Sequence, residues 1–285
     1  MNKSVNRIGV MQGRLLPKHK GRYQAHPAEY WQDEFLIAKE LGLGSIEFLF
    51  DYENFQNNPL MTDEGLKEII ELSDKTGVLV KNICADYFME APIHNVTDGD
   101  IKQNLEVLKK LIANASKMGV SNIVFPCLEK TAILGSEDIK QFSENVKLII
   151  DFLEKSEVNL SLETDLAPEP FTQLLNNFNS RRVTVNYDTG NSAFLGYDPQ
   201  KEFVAYGNKI SNIHIKDRKI GSGSVELGTG DTQFDKIFTG LSKIGYSGFF
   251  TIQAYRDDEG IEIFKRQLEW IKNKFNEFGI NLYEN

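Results

Sequence analysis

Short β-rich runs alternate along the chain with longer segments whose apolar residues recur at helical spacing. Residues 7–12, 45–50, 79–85, 122–127, 160–164, 183–188, 210–216 and 249–254 read as strands. Between and after them, 28–41, 63–76, 100–118, 136–155, 169–177, 200–206, 232–244 and 259–278 read as helices. The third helix keeps Leu105, Leu108, Leu111, Ile112 and Ala115 at i, i+3 and i+4 spacing, which gathers them on one face. Gly42, Gly77, Gly119 and Gly245 stand just past four of the helices, where a left-handed residue ends the last turn. Eight strands, each followed by a helix, in 285 residues give the count of an α/β protein folded as a (β/α)8 barrel. An open doubly wound sheet is the alternative, but it calls for a Gly-rich phosphate turn after the first strand. Met11-Gln12-Gly13-Arg14 is not GxGxxG. No Pro- or Ser-rich stretch and no charge block marks a linker, so one domain over 1–285 is expected.

Apolar residues at 41% and charged residues at 26% are ordinary for a globular chain and exclude disorder as the main state. The balance of 32 Lys+Arg against 41 Asp+Glu, net −9, counts against a nucleic-acid partner, which needs clustered cations. No apolar run approaches the roughly 18 residues of a membrane span. The first seven residues carry no apolar export core, so no membrane partner and a cytoplasmic location are expected. Cys84 and Cys127 make neither a disulfide framework nor a zinc knuckle, and read as buried reduced thiols.

In a barrel the chemistry sits where strands end and loops begin. Those ends carry Gln12 and Arg14, Glu47, Asp86, Glu163 and Asp165, Asp188 and Asn191, His214 with Lys216 and Asp217, then Gln253 and Arg256. Glu163, Asp188, His214 and Gln253 lie inside β-rich runs, where a charged group needs a partner. Strand alternation can aim all four at the axis. Two carboxylates, an imidazole and an amide oxygen make a mixed O/N shell for one divalent ion, Mn²⁺, Mg²⁺, Co²⁺, Fe²⁺ or Zn²⁺. A buried hydrogen-bonded network without metal is the competing reading.

Met11-Gln12-Gly13-Arg14-Leu15, Ser45-Ile46-Glu47, Leu162-Glu163-Thr164, Asp188-Thr189-Gly190-Asn191, His214-Ile215-Lys216-Asp217 and Leu227-Gly228-Thr229-Gly230 follow in order. Together they resemble the xylose isomerase-like TIM barrels, from residue 7 to about 256. That superfamily includes sugar and sugar-phosphate isomerases and epimerases, inosose dehydratases and family 2 AP endonucleases. The resemblance implies metal ligands at Glu163, Asp188 and His214. The fourth ligand of the epimerase branch is a Glu on the last strand; here the pair reads Ile252-Gln253. Gln still offers a carbonyl oxygen but removes a charge and a proton-transfer group. An epimerase moves protons on two faces of a carbon, whereas an aldose–ketose interconversion needs one base, so the Gln favours one-base chemistry. The endonuclease branch is excluded: it needs several histidines, the chain has only His19, His26, His94 and His214, and Asn191 stands where a ligand histidine would be.

Arg14, Lys216 and Arg256 come from adjacent strand ends and could hold a phosphate or carboxylate. The Gly-rich segment 221–230 follows the seventh strand, where barrels often bind phosphate. The opposite reading pairs the arginines with Asp217, Asp257 or Asp258 and leaves the glycines only to turn the chain. Trp31 and Phe35 read as core or as an active-site rim, Phe48 and Phe50 as core, the polar loop 18–26 with His19 and His26 as a lid, and His94 as a surface turn. The whole reads as a metal-dependent isomerase or epimerase acting through an enediolate on a small polyhydroxy ketone or aldehyde. Glu163 moves the proton with Lys216 beside it, and Arg14, Glu47, Asp86, Asn191 and Arg256 contact the substrate. An inosose-type dehydratase and a sugar-binding barrel that has lost catalysis are the alternatives. Exposed helix faces leave a homo-oligomer open.

Overall fold

A computed structural model describes residues 5–283. In chain order the strands are β1 (Ile8–Met11), β2 (Ser45–Leu49), β3 (Leu79–Cys84), β4 (Asn122–Cys127), β5 (Asn159–Thr164), β6 (Val183–Asp188), β7 (Ile210–Ile215), β8 (Asp217–Arg218), β9 (Ser224–Val225) and β10 (Phe250–Ile252). The helices are α1 (Asp33–Glu40), α2 (Asp63–Thr76), α3 (Asp98–Met118), α4 (Ser136–Lys147), α5 (Ile150–Ser156), α6 (Pro168–Asn176), α7 (Thr189–Leu195), α8 (Pro199–Tyr206), α9 (Phe234–Lys243) and α10 (Ile261–Glu277). Eight parallel strands close in the order β1-β10-β7-β6-β5-β4-β3-β2, and β8 and β9 form a separate antiparallel hairpin after β7. The (β/α)8 expectation holds. No described helix is long and apolar enough to cross a membrane.

Three segments depart from the periodicity. The helix expected over 28–41 begins at Asp33, after a run of turns. The helix expected over 136–155 breaks at Leu148–Ile149 into α4 and α5. Its apolar stripe of Phe142, Val146, Ile149 and Leu153 runs through the break, so spacing could not reveal it. Helix α7 was unforeseen because it is short and starts with Thr189-Gly190-Asn191. What nucleates it is the cap formed by Asp188, whose side chain accepts the N–H groups of Gly190 and Asn191.

The strands alternate apolar and polar, and the two faces go to different places. Ile46, Phe48, Ile83, Phe125, Leu162, Ile213 and Ile252 join the main hydrophobic core with the helices. Inside the barrel stand Ser45, Glu47, Asn82, Asn122, Ser161, Asn186, Asn212, His214 and Thr251, all buried. A small separate cluster of Met11, Leu49 and Cys84 supplies apolar filling near the mouth. Gly9 lets β2 come close, since a Cβ there would meet Ser45 Oγ at 2.2 Å. The interior amides form a directed chain. Asn159 donates to Asn122 (3.0 Å), Asn122 to Asn82 (2.8 Å), Asn82 to Asn212 (2.9 Å), Asn212 to Asn186 (2.9 Å) and Asn186 to Glu163 (2.6 Å). Each bond satisfies a group that would otherwise be buried without a partner.

The loop between β1 and α1 is stapled from two sides. Buried Glu34 accepts from Gly13 N (2.7 Å) and Leu15 N (3.1 Å), and burial lifts its carboxyl to about 7 despite those two donors. Arg256 donates to the carbonyls of Gly13 (2.5 Å) and Leu16 (2.7 Å). Replacing Glu34 by Ala strands two buried N–H groups, so Glu34→Ala is expected to lower stability by about 2–4 kcal/mol. Urea denaturation of the variant beside the wild type checks this.

Candidate active site

The ends of β5, β6 and β7 bring Glu163, Asp188 and His214 together at the C-terminal mouth. One oxygen or nitrogen of each lies within 4.8 Å of the other two, and all three residues are buried. Asp188 serves two structures at once. Its Oδ1 is spent on the α7 cap, accepting from Gly190 N and Asn191 N at 2.8 Å each. Its Oδ2 faces Lys216 Nζ at 3.3 Å and His214 Nδ1 at 3.9 Å. Gly190 makes room for this: a Cβ there would meet the Lys216 side chain at 2.7 Å.

Glu163 accepts from Asn186 Nδ2 on Oε2 (2.6 Å) and from Asn191 Nδ2 on Oε1 (2.7 Å). Arg218 donates to Asn191 Oδ1 (3.0 Å), which fixes the orientation of that amide because a guanidinium can only donate. His214 lies between two carboxylates. Its Nε2 is 2.7 Å from Glu47 Oε1, and its Nδ1 is 3.4 Å from Glu163 Oε2. Burial alone would depress the imidazole, but the Glu47 charge and the bonds to Glu163 and Glu47 outweigh it and raise the group to about 10. Glu47 itself is satisfied by Asn212 Nδ2 (3.0 Å) and Thr251 Oγ1 (2.7 Å) on Oε2.

This donor set fits a divalent cation. Two carboxylates and an imidazole suit an oxygen- and nitrogen-preferring ion, and the far imidazole nitrogen is anchored on a carboxylate as histidine ligands usually are. The Gln253 carbonyl oxygen shares Lys216 with Asp188, accepting from Nζ at 3.1 Å.

Above these groups opens a cavity of about 690 Å³ whose lining includes Arg14, Asp86, Glu163, Asn191, Lys216 and Gln253. Asp86 accepts from Gln24 Nε2 (2.8 Å) and from Cys84 Sγ (3.2 Å). Burial lifts its carboxyl to about 6, with those two bonds working against the shift.

Two expected substrate contacts do not reach the cavity. Glu47 lies beneath His214, one hydrogen bond deeper in the barrel. Arg256 turns its guanidinium onto backbone carbonyls of the loop between β1 and α1, because that loop must fold back over the last strand. Arg14 does line the cavity, yet it donates to Ala254 O, Tyr23 O and Gln24 Oε1 rather than to an aspartate. The Gly-rich segment is organised by Asp217, which accepts from the N–H groups of Gly228 (2.8 Å), Gly230 (2.9 Å) and Thr232 (3.2 Å). Those amides are therefore committed to Asp217 rather than to a phosphate.

His94 is buried and edge-on to Phe142, contrary to the expected surface turn. His26 is buried against Phe48 with Nδ1 2.9 Å from Gln12 Oε1, so loop 18–26 is anchored rather than loose. Cys84 and Cys127 are buried thiols, as expected. Sequence reasoning missed Gln24, Asn186 and Arg218. For Asn186 a signal existed: it stands two residues before Asp188 on the same strand face. Gln24 sits in an irregular loop and had none.

A family model described as "Xylose isomerase-like TIM barrel" matches residues 35–274. The chain belongs to this family. Among its relatives is the L-ribulose-5-phosphate 3-epimerase UlaE of Salmonella heidelberg, 24% identical over 274 residues that cover 90% of this chain and 94% of the relative. Solved structures of the same fold include an L-ribulose 3-epimerase (TM-score 0.76, 16% identity, 96% of each chain covered). Another is the IOLI protein with a bound zinc atom (TM-score 0.75, 16% identity, 98% of this chain and 100% of that one).

The raised imidazole yields a pH prediction for metal-free protein. A group whose folded value lies above its ordinary one stabilises the fold below that ordinary value and ceases to do so as the pH rises through about 10. Glu47→Gln removes the charge responsible and is expected to cost about 3 kcal/mol or more at pH 7. The gap to wild type should shrink toward pH 10, as read by urea midpoints across that range.

Proposed function

We propose that the protein is a divalent-metal-dependent sugar isomerase or epimerase. Its substrate would be a small polyhydroxy ketone or aldehyde, free or phosphorylated, and its reaction would pass through an enediolate. The observation that carries this reading is the Glu163–Asp188–His214 cluster, with His214 anchored on Glu47 and Glu163 lining the cavity. The epimerase relatives that span nearly the whole chain point the same way.

Glu163, Asp188 and His214 would hold the ion, and the Gln253 carbonyl oxygen is the fourth candidate. A divalent ion there supplies Lewis-acid polarisation of a carbonyl and its neighbouring hydroxyl. The remaining work belongs to the side chains. Glu163 is the proton carrier: Asn191, steadied by Arg218, fixes the carboxylate orientation at the cavity. Lys216 brings a positive charge to the same wall and is suited to steady an oxyanion. Arg14, Asp86 and Asn191 line the cavity, which supports reading them as contacts for a sugar. Phosphate, where present, would meet Arg218 and Ser224 at the rim rather than the amides held by Asp217.

A sugar-binding barrel without catalysis is the second reading, favoured only by the amide at position 253. Metal content separates the two. Protein purified without chelator is expected to hold about one equivalent of a divalent ion, and His214→Ala to lose it. With that ion supplied, L-ribulose 5-phosphate and free ketoses are the first substrates to screen by product analysis. Glu163→Gln should lower any turnover found by about 10²–10⁴-fold. No bound metal, and no thermal stabilisation by Mn²⁺, Co²⁺, Mg²⁺ or Zn²⁺, would sink the enzyme reading.

A further inference from the structure

Gln253 directly follows β10, its backbone N–H donating to Ile215 O at 3.0 Å. Its side chain bridges two neighbours. Lys216 Nζ donates to Oε1 (3.1 Å), and Nε2 donates to Gln24 Oε1 (3.1 Å). Gln24 is bound just as fully. Arg14 Nη2 donates to its Oε1 (2.9 Å), and its Nε2 donates to Asp86 Oδ2 (2.8 Å). Arg14 and Lys216 can only donate, and ionised Asp86 and Asp188 can only accept. The two amides therefore have one consistent orientation each, fixed by charged groups at both ends of the row.

A carboxylate at 253 breaks this row. It would still accept from Lys216, but it would set a second acceptor against Gln24 Oε1. Turning the Gln24 amide over does not help: Nε2 would then face Arg14, and Oε1 would face Asp86. Only a side chain that donates and accepts at once fits; glutamine does so at every working pH, a glutamate only when protonated.

We propose that position 253 is built for an amide, and that Gln24 is the positioning residue that aims the Gln253 carbonyl oxygen at the Lys216–Asp188 edge of the site. The amide is thus a working part of this barrel rather than a decayed ligand. It also neither takes up nor releases a proton at any working pH. On the enediolate reading above, on which this consequence rests, the last strand supplies no proton-transfer group. Glu163 is then the carboxylate that takes the proton from one carbon and returns it to the adjacent one, while the hydroxyl proton passes from one oxygen to the other, as a one-base aldose–ketose interconversion requires.

The test is a double-mutant cycle on metal-free protein, read by thermal melting, with Gln24→Ala, Gln253→Glu and the pair. Gln253→Glu is expected to lower the melting temperature by about 3–8 °C in the wild-type background. In the Gln24→Ala background the same change should cost less than half of that, because the opposed acceptor is gone. A Gln253→Glu protein that melts at or above wild type, or an equal loss in both backgrounds, overturns the proposal. Should Gln253→Glu alone fail to fold, adding Gln24→Ala must restore folding, and failure there overturns it too. Titration with Mn²⁺ reads the positioning role separately: Gln24→Ala keeps every ligand yet should weaken binding by roughly 3- to 10-fold. Unchanged affinity would overturn that role. Absence of Mn²⁺ binding in wild type would strike the metal reading instead, and the melting cycle would still decide this one.

Discussion

The contact between Glu47 and His214, 2.7 Å long with both side chains shut off from water, sets the terms for the rest of the barrel. A carboxylate and an imidazole this deep are tolerated only when every lone pair and proton between them is occupied. Thr251 and Asn212 complete Glu47, and Glu163, to which Asn186 donates in turn, faces the Nδ1 of His214. Asn212 and Asn186 then need partners of their own, which the amide chain back to Asn159 supplies. The polar interior is the consequence of one buried pair, carried outward until the last amide nears the barrel's edge.

That interior could not also be the hydrophobic core. Apolar burial is displaced to the layer between strands and helices, where Phe48, Phe125, Phe142 and Phe250 are among the largest fully buried side chains. The division separates stability from chemistry. The outer layer holds the fold together, while the inner amides donate in a single direction that ends on Glu163. Hydrogen bonds aligned in this way polarise one another, so the carboxylate at the end meets a stronger donor than a lone amide.

The mouth follows a second rule, that loops over the strand ends serve the site only when something rigid holds them. Glu34 and Arg256 hold the loop between β1 and α1, so Arg14 and Gln24 arrive in fixed positions. Asp188 holds the start of α7 and so places Asn191 against Glu163. Asp217 holds the Gly-rich turn after β9. In each case a buried charge is spent on backbone groups, which is why several charged residues near the site make no contact with the cavity.

The sequence by itself determined the strands, the barrel, and the convergence of Glu163, Asp188 and His214, because period-2 alternation and position at a strand end are local properties. It also placed Gln253 at the site, where its amide character stood out. Only the tertiary structure decided which way the arginines turn, that Glu47 lies under His214 and not beside a substrate, and that Gln24 belongs to the site at all. Those outcomes depend on which donor meets which acceptor across separations of up to 243 residues, as between Arg256 and Gly13. Periodicity shows which face a side chain takes. Its hydrogen-bond partner is set by closure of the barrel and the loops folded across its mouth.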